Sequence, residues 1–171
     1  EDLKTSIFKI KSFNKKVGKM SPPPPFTTSS LQQSASSVLG MSPKTTMTLA
    51  QSLFSKGKIS YHRTDSFTIS EEFLKKLGKH IPEKFGDKYY KARKYKSKSK
   101  GAQEAHEAIR PTKLISTIET ENNSEKRLYE LIYKRTVASQ MSNAIKDVFK
   151  IIIEISNRKD EIVCGYENIT F

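Results

Sequence analysis

The sequence predicts an α+β fold: a mainly α-helical domain with a helix-turn-helix-like element, inserted into an incomplete β-domain. Three observations carry this. Strand-like apolar segments lie toward the two ends, at Ser6 to Lys15 and at Phe149 to Val163. Between them, apolar residues recur at helical spacing. Four consecutive prolines, Pro22 to Pro25, mark the first border. The boundaries read as 1–21 for a first strand, 22–143 for the helical domain and 144–171 for returning strands. The chain has 171 residues and starts at Glu1. We therefore expect an excised or processed piece, with only the flanks of the β-domain present.

In the first strand Phe8 and Ile10 share one face, and Lys9 and Lys11 the other. Ile7 and Phe13 fall on the lysine side, so the alternation is broken. "PPPPF", Pro22 to Phe26, reads as a stiff extended linker that donates few backbone hydrogen bonds. Thr27 or Thr28 then caps a helix with Leu31, Ala35, Val38 and Leu39 inward, stopped by Gly40. Ser42 and Pro43 start a second helix whose stripe is Met47, Ala50, Leu53 and Phe54. The tight turn between the two gives the helix-turn-helix-like element. Lys58 to Tyr61 reads as extended. Ser70 caps a third helix, buried through Phe73, Leu74, Leu77 and Ile81 and closed by Pro82. From Ser124 as cap, a long helix turns Leu128, Leu131, Ile132, Arg135, Ala138 and Met141 inward. Ile151, Ile152, Ile153 and Ile155 form a strand that pairs with Ile162 and Val163 across an "NRKDE" turn.

The net charge is +13 and the pI is near 9.7. That excess points to a polyanion, nucleic acid or anionic lipid. No run of about 18 apolar residues is present to span a membrane, and no secretory signal pattern opens the chain. Cys164 is the sole cysteine and cannot pair internally, which fits an intracellular setting. Asp87 to Gly101 interleaves lysines with tyrosines and serines. Such a run suits a single strand, with lysines on phosphates and rings on bases. The plainer reading, a solvated loop, is the stronger one on composition alone.

Two stretches carry possible chemistry. In "ISYHRTDS" a phenol, Tyr61, lies two residues from a guanidinium, Arg63. In extended chain both point to one face. Arg63 would clamp a phosphate with its two-pronged fork while Tyr61 attacks it. A phenol is a weak nucleophile near neutrality, and cationic neighbours favour its ionised form. Thr64, Asp65 and Ser66 would orient Arg63 or cap the turn. Spacing alone favours the plainer alternative of a half-buried strand tyrosine beside a surface ion pair. In "AQEAHEAIRPT", "HEAIR" lacks the second histidine of a zinc-protease helix, because Arg110 occupies that position. His106 with Arg110 one helical turn away addresses a phosphate, or is a loop histidine beside a helix-end arginine. Spacing leaves the two even. No metal-ligand cluster is visible in the sequence.

These stretches resemble the two signature segments of the type IA DNA topoisomerases. "PPPPFTTSSLQQSAS" is similar to a third, and "RLYELIYKRTVASQM" to the helix that follows in that family, with the bacterial topoisomerase I branch the nearer one. The likeness runs from Ile7 to Phe171. It implies cleavage of one DNA strand by a tyrosine nucleophile, here Tyr61, which holds the 5′ end as a phosphotyrosine. Strand passage and resealing then relax negative supercoils. Arg63 and His106 are implied to contact the DNA and the scissile phosphate, and Arg110 to contact the DNA. One departure is His62, where the family usually carries Met or Pro. The resemblance further implies Mg²⁺ as cofactor of the full-length enzyme, bound in a Toprim domain that this chain lacks together with a DNA-binding domain. A single-stranded DNA partner, no membrane partner and a bacterial, cytoplasmic, nucleoid-associated setting complete what it implies. The isolated chain is then expected to bind single-stranded DNA without cutting it. Two other readings stand beside this one: a non-catalytic helix-turn-helix DNA-binding module, and a lysine-rich tether to membrane or RNA.

Overall fold

Among the described residues, three strands and four α-helices build the α+β architecture expected from the sequence. The computed structural model describes residues 2–95, 106–156 and 158–170. The chain forms two compact units, one of Glu1–Ser21 with Asn143–Phe171 and one of Pro22–Ser142.

The first unit is an antiparallel sheet in the order β1 (Phe8–Met20), β2 (Ala144–Ile155), β3 (Glu161–Ile169). The register of β1 against β2 slips between Ile10 and Ser12. This bulge leaves Lys11 without a partner in the ladder and accounts for the broken alternation in the sequence. Phe8, Ile10 and Phe13 lie opposite Ile155, Ile153 and Ile151, so all three share one face and Phe13 is not on the lysine side. Phe149 and Tyr166, also opposite each other, extend that face with stacked rings 6.0 Å apart. Lys15–Asp147 at 2.8 Å and Lys146–Glu167 at 2.7 Å pair charges between neighbouring strands.

The helical unit begins inside its own core. Pro25 and Phe26 are buried, so the end of the proline run is packed and not a free linker. The Phe26 ring lies 4.2 Å beneath the Arg135 guanidinium, a contact that covers the cation's flat face. Thr27 caps α1 (Thr28–Leu39) in a reciprocal box with Ser30. Gly40, at φ 68°, ends it in the left-handed region that a glycine adopts without a Cβ clash. Ser42 caps α2 (Pro43–Ser55), with Pro43 in its first turn. Helix α3 (Glu71–Phe85) runs past Pro82, where the sequence suggested a stop. A proline removes only its own N–H, so the carbonyl four residues back, that of Gly78, loses its helical donor while the helix continues to Phe85.

Helix α4 (Asn123–Ser139) is capped by Asn122, two residues earlier than the Ser124 expected from the sequence. The Asn122 Oδ1 accepts the N–H groups of Ser124 at 2.9 Å and Glu125 at 3.2 Å. The buried face is correspondingly rotated to Leu128, Tyr129, Ile132, Tyr133, Thr136 and Val137. Leu31, Ala50, Leu53, Ile59, Leu77, Ile109, Leu128 and Ile132 are fully or almost fully buried and make one hydrophobic cluster. Tyr89 and Tyr90 pack against it, and the Tyr95 hydroxyl donates to the Ser139 carbonyl at 3.0 Å. These three rings are engaged with protein, contrary to the stacking role that their interleaving with lysines suggested. Lys96, Lys98 and Lys100 lie outside the described residues.

Glu125 is buried at the seam of α2 and α4. Its carboxylate accepts from Ser52 Oγ at 2.6 Å, Lys56 Nζ at 2.8 Å and Thr120 Oγ1 at 3.0 Å. The Lys56 hydrogen bond, then that of Ser52, holds the carboxyl below its ordinary range. Glu125→Ala is expected to cost about 1–3 kcal/mol, because Ser52 and Thr120 lose an ionised acceptor. Urea unfolding at neutral pH measures it. The same contribution is present above the ordinary carboxylate pKa and disappears as acid protonates the folded carboxylate.

Candidate active site

The segment after α2 is drawn into the core at Ile59, which bridges Pro111. Ser60 fastens it further. Its N–H donates to the Arg110 carbonyl at 2.8 Å, its hydroxyl donates to the Ala108 carbonyl at 2.8 Å, and that oxygen accepts the Arg110 N–H at 2.9 Å. Ile109 donates to the Phe26 carbonyl at 2.8 Å, and Ala108 to that of Thr68 at 2.7 Å. The second motif is thereby threaded between the first motif and the proline segment.

From Tyr61 to Ser66 burial alternates strictly: Tyr61, Arg63 and Asp65 are exposed, and His62, Thr64 and Ser66 are buried. No regular strand forms here, yet Tyr61 and Arg63 keep the shared exposure that extended chain implies. Thr28, the first residue of α1, holds the buried side. Its hydroxyl donates to the carbonyls of His62 at 3.0 Å and Thr64 at 3.1 Å, and accepts the Thr64 N–H at 2.9 Å. Thr64 Oγ1 takes the Ser66 N–H, and Ser66 Oγ takes the Thr68 N–H, so these hydroxyls cap the turn. Arg63 and Asp65 border one polar depression with Thr28, Ser29, Gln32 and Thr64.

Tyr61 is 42% exposed. The ring of His106, itself exposed, lies 6.2 Å away from the tyrosine ring at 34°. Two residues 45 positions apart in the chain are therefore neighbours at the surface. Phe54 stands 5.3 Å from Tyr61 on another side, ring edge to ring face.

Arg110, implied by the resemblance as a DNA contact, is mostly buried. Its side chain is 15% exposed and pairs with Glu107, its Nη1 donates to the Pro111 carbonyl at 3.1 Å, and its guanidinium lies 4.1 Å from the Phe73 ring centroid. The other Glu107 oxygen accepts the Ser70 N–H at 2.8 Å. Glu107 thus serves the start of α3, where no bond from the Ser70 side chain caps the helix. The Glu107–Arg110 pair clasps the His106 segment to that helix. Read from the sequence, Glu107 figures only within a zinc-protease pattern and has no such bridging role; its three-residue spacing from Arg110 was the available signal.

His62 fills a buried position between the rings of Tyr61 and Phe54, at 5.2 and 5.6 Å. Its Nδ1 is buried without a hydrogen-bond partner. Burial, and then the Arg63 charge, push its pKa below the ordinary 6.5. The unfolded chain therefore binds the proton more readily, and stability falls as pH drops through about 6.5. His80 is shifted the same way by burial and by Lys84. His62→Met is expected to lessen, without abolishing, the fall in melting temperature between about pH 7.5 and about pH 5.5. An unchanged fall would show that His62 takes up its proton equally in the folded and unfolded states.

The described acidic residues of the two motifs, Asp65 and Glu107, do not make a cation site. Both Glu107 oxygens are taken, and Asp65 stands as a single carboxylate. Mg²⁺ needs several oxygen ligands in a near-octahedral set. Among the described residues no group of three or more His, Cys, Asp or Glu could hold a metal ion. No helix among them is long and apolar enough to cross a membrane.

A sequence profile described as DNA topoisomerase matches residues 1–169. The chain belongs to the type IA DNA topoisomerase family. It is 44% identical to DNA topoisomerase 1 of Campylobacter jejuni, over 93% of this chain and 26% of that protein. It is 46% identical to the prokaryotic-type DNA topoisomerase 1 of Acanthamoeba polyphaga mimivirus, over 90% of this chain and 18% of the relative. Full-length topoisomerase I from Thermotoga maritima superposes with a TM-score of 0.77 at 32% identity, covering 96% of this chain and 28% of that one. The chain thus spans between about a fifth and just over a quarter of the length of these topoisomerases.

Proposed function

We propose that this chain is the nucleophile-bearing part of a type IA topoisomerase and that Tyr61 attacks a DNA phosphate. The observation that carries the reading is the pairing of an exposed phenol with an exposed imidazole, Tyr61 with His106, brought together from two motifs. The Tyr61 oxygen forms a bond to phosphorus as the bond from phosphorus to the 3′ oxygen breaks. The phenol gives up its proton, and the departing 3′ oxygen takes one and leaves as a hydroxyl. Resealing runs backwards: the 3′ hydroxyl attacks the phosphotyrosine, and Tyr61 leaves as the phenol. Between the two steps another strand passes, and negative supercoils relax.

Arg63 and His106 hold the phosphate oxygens, the first as a permanent cation and the second as a hydrogen-bond donor. The mostly buried Arg110, paired with Glu107, is assigned first to holding the His106 segment and only second to contacting DNA. Mg²⁺ and the groups that move the proton are assigned to segments of the longer protein. The chain by itself then binds single-stranded DNA weakly and does not cut it. The helix-turn-helix alternative is disfavoured by α1, which carries no lysine or arginine, and by α2, which carries only Lys44 before its C-terminal turn.

The test is the polarity of covalent transfer. Full-length protein is mixed with Mg²⁺ and a single-stranded oligonucleotide and then denatured. Label at the 3′ end should migrate with the protein and map to Tyr61, and label at the 5′ end should not. Transfer of the 5′ label, or attachment at another residue, overturns the proposal.

A further inference from the structure

We propose that Phe54 is a stacking platform for a nucleobase of the single strand held at Tyr61; this rests on the reading of Tyr61 as the nucleophile. The helical spacing of α2 puts Phe54 on the apolar stripe with Leu53 and Ala50. The structure leaves it outside the hydrophobic cluster and 38% exposed. Its ring contacts are Tyr61, at 5.3 Å and 68°, and His62, at 5.6 Å and 43°. His62 is buried beneath them, so the exposed rings rest on a fixed base.

A large apolar side chain beside a reactive group in water is costly unless something covers it. An edge-to-face pair leaves at least one face of each ring outside the contact. A nucleobase has the flat, weakly hydrated face that fits there, and stacking on an aromatic ring accepts any base. A strand whose phosphate meets the Tyr61 hydroxyl carries that base, or the next one, within reach of Phe54. Lys58, exposed at the start of the same segment, supplies positive charge for the strand's backbone. Phe54 is on this view what keeps the strand from sliding past the nucleophile.

The experiment measures fluorescence anisotropy of full-length protein with a labelled single strand, and with a series of strands each lacking one base. Tyr61→Phe is present throughout, so that no strand is cut. With Phe54 in place, removal of one particular base should weaken binding by about 5- to 150-fold. Phe54→Ala should weaken the intact strand by a similar factor and erase the effect of that missing base. Phe54→Tyr, which keeps the ring, should preserve both. Equal binding by Phe54→Ala and the parent, or a loss of the same size on every strand including the one without its base, overturns the inference. Failure of the parent to bind any single strand overturns the reading of the site instead, and the inference with it.

Discussion

Tyr61→Phe in the full-length protein is expected to abolish plasmid relaxation and covalent attachment, lowering the rate by at least about 10⁴-fold. The substitution deletes one oxygen and leaves the ring. The ring is what touches Phe54, His62 and His106, so the surroundings of residue 61 should be unchanged. Binding of single-stranded DNA should accordingly stay within a few-fold of the parent, since a surface hydroxyl contributes about 1 kcal/mol or less to a solvated contact. Supercoiled plasmid with Mg²⁺ reads the first effect and a gel-shift titration the second. Relaxation that survives the substitution removes Tyr61 as nucleophile. Loss of binding together with relaxation would make residue 61 a binding group and leave the chemistry elsewhere. The same titration against duplex separates this reading from a non-catalytic duplex-binding module, which would prefer duplex and be indifferent to residue 61.

Phe26→Ala should have the largest effect on stability, about 3–5 kcal/mol. The ring is fully buried, and Arg135 lies across it, so truncation opens a cavity and strips the guanidinium of its cover. Whole domains have only about 5–15 kcal/mol in hand. The consequence reaches the site because Phe26 also bridges Ile109, three residues from His106. The variant should melt at lower temperature and, while still folded, lose strand cleavage more than strand binding, since His106 is held through this bridge. A chevron or urea titration gives the first result. An unchanged midpoint would mean that the core closes over the gap without loss.

Much of the fold is legible because its signals are local. Thr27, Ser42 and Gly40 mark helix ends through hydrogen bonds and backbone angles that involve only near neighbours. Leu31, Ala35, Phe73, Leu77 and Ile81 repeat at the helical period and are buried as that period implies. The misreadings arise where a distant partner decides. Phe13 changes face because of a bulge at Lys11, visible only once β2 supplies a register. The start of helix α4 at Asn123 is a separate case, decided locally: the Asn122 side chain accepts the amides of Ser124 and Glu125. Tyr95 is tied to the end of α4 and not left free for a base.

The sequence by itself determined the residue types, their order and their spacing within each motif: a phenol two positions from a guanidinium, a histidine beside a glutamate, caps and stripes of fixed period. That much identifies which groups could act on a phosphate, because chemistry is a property of side chains. Only the tertiary structure decided that His106 meets Tyr61, that Arg110 turns to Glu107 and Phe73, and that Phe54 stands outside the core. Those outcomes depend on Lys58, Ser60 and Phe26 hydrogen-bonding to a segment some 50 to 80 residues away. Local spacing carries no record of such a bond, since its geometry exists only after the core around it has closed.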